Sequence, residues 1–247
     1  MHGRLWANDP DCLLVRTDRT KLTLDETRTL ASVIGLSGGM MLSSDDLEKA
    51  PADRIDLISM LLPPLPRSAD PVDLMLRDMP ERYEIAFDRA FDPLRVVGLF
   101  NFADETRDLM LALPAGRWHA FELWEERYRG VVEGEMTFAL VAPHSCRVVA
   151  LRPADGDAPR VVGTNAHIGV GALDISGQKW DVISTTLSVH LEPAGRPQRR
   201  IYFATGGREV DGATLGGAGI AVAGAGAARS VEANLDVSAE LAIRFSG

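Results

Sequence analysis

RLWANDPDCLLVR, residues 4–16, sets two aspartates around a proline, between a tryptophan and an apolar run. Asn and Asp side chains bond back to their own backbone and proline fixes its φ, so residues 8–11 read as a turn and residues 4–6 as the end of a strand. Working outward from that turn, Thr23-Leu-Asp-Glu26 has the form of a capping box, with a Thr oxygen for the first-turn amides and a Glu three residues on. The helix it opens carries Leu30, Val33 and Ile34 on one face and stops at Gly38-Gly39. Residues 40–42 form a short continuous apolar run, the pattern of a buried parallel strand, followed by polar Ser43, Ser44, Asp45 and Asp46. A second helix starts at Pro51 and carries Ile55, Ile58, Leu61 and Leu62 until Pro63-Pro64 ends it. This makes two βα units, whose helix faces and residues 13–15 are expected to stay partly exposed unless more protein covers them.

The grammar changes near residue 80. After a Pro-rich connection at 63–80, Tyr83, Ile85 and Phe87 alternate with polar residues. Short runs at 96–102, 118–124, 136–140, 146–151, 161–168, 187–191, 201–203 and 239–245 repeat strand grammar with turn residues between them. Such spacing without a helical pattern predicts an antiparallel sandwich or barrel. The expected organisation is an α/β portion over 1–66, a linker at 67–80 and an all-β antiparallel sandwich over 81–247. The Gly/Ala-rich segment 216–228 lacks GxGxxG order, so it reads as strand and turn packed against close backbone rather than as a phosphate loop.

Composition narrows the function. The 247 residues are 46% hydrophobic and 25% charged, a globular balance. A net charge of -9 without a basic run argues against nucleic acid and anionic membranes as partners. No stretch reads as a signal peptide or bilayer span, and Cys12 and Cys146 have no paired spacing, so a reducing cytoplasm is the expected location. The five histidines, His2, His119, His144, His167 and His190, show no metal spacing and read as structural. No cofactor is expected. Asp9-Pro-Asp11 lacks the long apolar strand that a DxD phosphate-transfer site requires, and Leu13 and Leu14 fall where a calcium loop needs ligands and glycine. Asp45 and Asp46 read as a cap and a solvated turn. Alternation puts Trp118 and Trp124 on one side of a strand and Phe121 on the other.

WANDPDCLLVR followed by LTLDETRTLASVIGLSGGMMLSSDDL resembles the last two βα units of the barrel in the α-galactosidase (melibiase) clan of glycoside hydrolases, nearest the larger bacterial-type members. VVGLFNFADET, GRWHAFELWEERYRG, LVAPHSCRVVALRP and VVGTNAHIGVGALDI resemble the C-terminal β domain of the same clan, so the resemblance runs over roughly residues 4–190. It implies the end of a TIM barrel, with residues 4–11 as the seventh strand and its loop and 40–46 as the eighth. Clan members are retaining hydrolases with two aspartates at the ends of the fourth and sixth strands, so the resemblance implies that both catalytic carboxylates lie outside this sequence.

Substrates of (β/α)8 barrels meet the loops after the strands. On the resemblance, Asp11 and its neighbour Cys12 line the sugar pocket. Asp9 is mostly a turn residue, and Trp6 is either a stacking platform or a buried strand-end residue. Two readings follow. One is the C-terminal portion of an α-galactosidase-like hydrolase, inactive alone, with an α-galactoside as its ligand and the remaining barrel or a second copy as its partner. The other is a non-catalytic carbohydrate-binding or interaction protein built on the β sandwich.

Overall fold

The computed structural model describes residues 9–246. The strand expected at 4–6, with Trp6, lies outside them, as does His2. The first layer contains β1 (Cys12–Leu13), α1 (Leu24–Ser37), β2 (Leu42–Ser43) and α2 (Ala52–Ser59). β1 and β2 pair in parallel, Cys12 beside Leu42 and Leu13 beside Ser43, and α1 makes the crossover that a parallel pair requires. Every other strand pair among the described residues is antiparallel.

The expected capping box is present. Thr23 Oγ1 accepts the Glu26 N–H, and the Glu26 carboxylate accepts the Thr23 N–H. Gly38, at φ 63°, ends α1 in the left-handed conformation. The buried stripe of α1 differs from the expected one. Small residues Thr27, Ala31, Ser32 and Gly35 join Ile34 and Leu36 at the core, while Leu30 and Val33 are half-buried. Pro51 is the residue before α2 rather than its first helical residue.

The helices are covered within the chain itself, contrary to the expected exposure. Leu13 and Val15 are 0% exposed, and Ile34, Leu36, Leu57 and Leu61 share one apolar cluster with Phe100, Phe121 and Val148 from the neighbouring sheet. The physical reason is that α1 packs on that sheet, so its apolar side is buried without further chain. The opposite holds at residues 40–42, expected to be a buried strand. Met40 and Leu42 are exposed because, among the described residues, no third strand pairs with β2.

The covering sheet contains β3 (Asp70–Pro71), β4 (Arg82–Phe87), β5 (Leu94–Asn101), β6 (Arg107–Glu122), β7 (Arg127–Val141) and β8 (Ser145–Pro153), in the order β3-β4-β5-β8-β6-β7. β3 falls inside the segment read as a linker. Alternation divides β5 and β8 between two cores: Val96, Phe100, Val148 and Ala150 face the helices, while Val97, Leu99, Val149 and Leu151 meet the β6–β7 hairpin. Leu109 and Leu111 meet the hairpin core before the register shift between Ala112 and Arg117, and Trp118 and Ala120 meet it after, so the shift changes which parity of β6 faces that core. Trp118 packs with the hairpin core, whereas Trp124, in the turn past the end of β6 at Glu122, joins Phe121 against the helices, so the expected pairing of the two tryptophans on one side is wrong.

The rest of the chain forms β9 (Arg160–Thr164), β10 (Ile175–Asp181), β11 (Thr186–Leu191), β12 (Gln198–Ala204), β13 (Val210–Leu215), β14 (Ala218–Ile220), β15 (Val222–Ala223), β16 (Ala228–Asn234) and β17 (Ala239–Phe245). They make two antiparallel sheets, β10-β11-β17-β13-β14 and β15-β16-β12-β9, around a shared core that includes Val189, Phe203, Val231, Ile243 and Phe245. This is the antiparallel β architecture expected, with β10, β13 and β16 added to the strands read from the sequence. Segment 216–228 is strand and turn, but of its five glycines only Gly224 comes within contact distance of other backbone. A Cβ at Gly216, Gly217, Gly219 or Gly226 would meet nothing within 4 Å. No helix is long and apolar enough to cross a membrane among the described residues.

Candidate functional site

The Asp-Pro-Asp turn precedes β1, at its N-terminal end, and strand pairing begins at Cys12, beyond the residues 4–11 expected to form the strand and its loop. Asp9 Oδ1 accepts the Asp11 N–H at 2.9 Å, the local turn bond that short acidic side chains favour. Asp11 then sits at φ 68°, a left-handed conformation that Asp tolerates better than most residues, and its Oδ1 accepts the Cys12 N–H at 2.7 Å. Asp9 and Asp11 are exposed, and Cys12 is half-buried with a free thiol. Three of the four residues singled out in the sequence, Asp9, Asp11 and Cys12, thus form one contiguous turn. Trp6 lies outside the described residues.

Beyond β1 and β2 the chain is tied together by Asp45, whose side chain is 0% exposed. Its two oxygens accept the Val15 N–H at 2.5 Å and Arg16 Nε at 2.6 Å, while Arg16 Nη2 donates to the Ser44 carbonyl. Asp45 is therefore a buried clasp between the segments leaving both strands, not the cap or solvated turn expected of it. Asp46 is the surface member, paired with Lys49.

Three further polar clusters are built on buried or half-buried carboxylates. Asp92, fully buried, receives Arg89, Arg152 and Arg160, and Arg152 is also 0% exposed. Glu126 accepts Asn165 Nδ2 at 2.7 Å, the Tyr202 hydroxyl and Arg200, fastening the β6–β7 turn to β12. In the same turn, the buried Glu122 carboxylate accepts the N–H groups of Trp124 and Glu125. Burial pushes its pKa up to about 7 despite those bonds, with Glu125 adding repulsion. Sequence reading missed Asp92 and Glu126 because most of their partners lie tens of residues away, and Glu122 because its burial comes from the closed fold and not from its local N–H partners.

The histidines with described side-chain bonds have structural ones. Burial, then the charges of Arg160, Arg152 and Arg117, pull the His119 pKa down to about 4, and its Nδ1 bonds Tyr128. His167 Nδ1 accepts the Gly169 N–H, which leaves Nε2 to donate to the Pro63 carbonyl at 2.9 Å. Among the described residues, no group of three His, Cys, Asp or Glu side chains is placed to hold a metal ion.

No family model matches the chain. Its fold is similar to that of several solved glycosidases. One is a glycoside hydrolase family 27 β-L-arabinopyranosidase from Geobacillus stearothermophilus, at 18% identity and TM-score 0.44 over 61% of this chain and 38% of the other. A second is α-galactosidase I from Mortierella vinacea, at 15% identity and TM-score 0.45 over 59% of this chain and 39% of the other. A third is the isomalto-dextranase of Arthrobacter globiformis, at 17% identity and TM-score 0.39 over 92% of this chain and 46% of the other. The chain thus spans less than half the length of each of these proteins.

Proposed function

We propose that this chain is the C-terminal portion of an α-galactosidase-like retaining glycoside hydrolase, acting on a terminal α-linked galactose or a related sugar. The observation that carries the reading is the NDPDC motif at the head of a parallel β1–α1–β2 unit, with the Asp11 carboxylate in an exposed turn held by Asp9. Two βα units and a β sandwich correspond to the end of such a hydrolase. In this reading Asp11 accepts hydrogen bonds from sugar hydroxyls, Cys12 lies beside it, and Asp9 and Asp45 hold the turn and the strand ends in place. The nucleophile and the acid/base are carboxylates of the preceding barrel strands, about 5 Å apart as retention requires. β2, exposed at Leu42, is where that barrel would continue.

The test is to express this chain and assay an aryl α-galactoside. No turnover above background is expected. Turnover that disappears on Asp11→Ala would overturn the assignment of catalysis to residues outside this sequence.

A further inference from the structure

A cleft of about 130 Å³ lies where α1 and α2 meet the turn between β6 and β7. Leu57, Met60, Leu123 and Trp124 form the apolar part of its lining, and Arg28, Arg196, Asp53 and Asp56 face it as polar groups. Both arginines are underused. Nε of each is buried without a hydrogen-bond partner among the described residues. Their other contacts here are long: Arg28 Nη1 to Asp25 at 3.4 Å, and Arg196 to Asp56 at 3.4 Å and to Glu126 at 3.3 Å. Those Nε atoms are shut off from solvent, so a ligand in the cleft would use the loosely paired Nη groups instead.

The acceptors have capacity to spare as well. Among the described residues Asp53 reaches Arg54 at 3.9 Å and Asp56 reaches Arg196 at 3.4 Å, neither a tight pair. Trp124 is held in place, its Nε1 donating to Ser32 Oγ at 3.0 Å and the Arg28 guanidinium lying 5.6 Å from its ring centroid. The cleft therefore offers an ordered aromatic wall, two guanidiniums with spare donors and two carboxylates with spare lone pairs.

We propose that this cleft is a binding site for one neutral pyranose unit of a glycan, separate from the Asp11 turn. An anion would meet Asp53, Asp56 and Glu126, and a cation would meet Arg28 and Arg196. Sugar hydroxyls both donate and accept, so they satisfy the two signs at once, and the C–H face of a pyranose matches the apolar lining. At about 130 Å³ the cleft is smaller than a whole hexopyranose, so it would take one edge or face of the ring and leave the rest in solvent. The inference does not depend on the glycosidase reading, because it uses none of the residues of that site.

The experiment titrates the full chain with methyl α-galactoside and methyl α-glucoside by calorimetry, and follows tryptophan fluorescence against Trp124→Phe. Saturable binding with a Kd on the order of 1 mM is expected for at least one sugar, together with a fluorescence change that Trp124→Phe removes. Asp56→Asn and Arg196→Gln should each weaken binding about tenfold, while the surface change Asp46→Asn, remote from the cleft, leaves it unchanged. Circular dichroism checks that the variants fold, and the surface change Asp53→Asn, expected to weaken binding in the same direction, serves if Arg196→Gln does not. The proposal is overturned by absence of saturable binding, by binding that the Asp53 and Asp56 variants leave intact, by loss on Asp46→Asn, or by sodium phosphate binding more tightly than either sugar.

Discussion

The carboxylate of Asp45 accepts the backbone N–H of Val15 at 2.5 Å, joining the segments that leave the two parallel strands across thirty residues of chain. Both partners are shielded, Val15 at 0% exposure and the Asp45 side chain at 0%. Asp45→Ala therefore strands a buried amide and releases Arg16, at a cost of about 2 kcal/mol. Urea denaturation should show a lower midpoint for Asp45→Ala than for Asp46→Ala, which removes only a surface pair worth less than about 1 kcal/mol.

Asp92 presents a sharper case. Its carboxylate and the Arg152 guanidinium are both fully buried, and Arg152 also donates to the carbonyls of Val162 and Val170. Removing one member of a buried pair leaves the other charge uncompensated, which costs about 3–5 kcal/mol. Asp92→Leu should lower the melting temperature more than any single surface substitution. An unchanged melt would show that the three arginines do not need the carboxylate.

Glu122 predicts a pH dependence. Its folded-state pKa, about 7, lies above the free value of 4.5, so the native state holds a proton that the unfolded chain releases between those values. The associated stability is present below pH 4.5 and is lost as pH rises through about 7. The difference is on the order of 3 kcal/mol. Glu122→Gln should flatten the decline of stability across that interval, read as ΔG of unfolding against pH. A slope identical to that of the parent chain would count against the assignment.

Gly163 lies against the ring of Phe121, where an added Cβ would stand 2.2 Å from Cδ1. Phe121 is fully buried, so the ring has no room to retreat. Gly163→Ala should destabilise by about 1–3 kcal/mol through overpacking, and Phe121→Leu in the same chain should recover part of the loss. Additive losses in the double variant would disprove the contact.

Much of the local structure was legible in the residues themselves. Thr23 with Glu26 announces α1 because a capping box is a local exchange of hydrogen bonds, and Gly38 announces its end because a left-handed residue closes a helix cheaply. The β strands rich in Val, Ile, Leu and Phe were readable from their alternation. β16, with Ser230, Val231 and Ala233 turned inward, was not, because small and polar residues blur a period of two. The turn formed by Asp9 and Asp11 was visible for the same local reason: its hydrogen bonds span one and two residues.

The limits of that reading are equally physical. Asp45 looked like a surface residue because its partners, Val15 and Arg16, sit in another strand's exit segment. Glu122 and Asp92 became buried charges only when sheets closed around them. The change of inward parity along β6 depends on a bulge between Ala112 and Arg117 that alternation by itself does not reveal. The sequence alone determined the short-range features, whose hydrogen bonds and backbone preferences lie within a few residues: the caps, the Asp-Pro-Asp turn and most of the strands. The tertiary structure decided which faces are buried and which charges pair, because desolvation and long-range contact exist only once distant segments have been brought together.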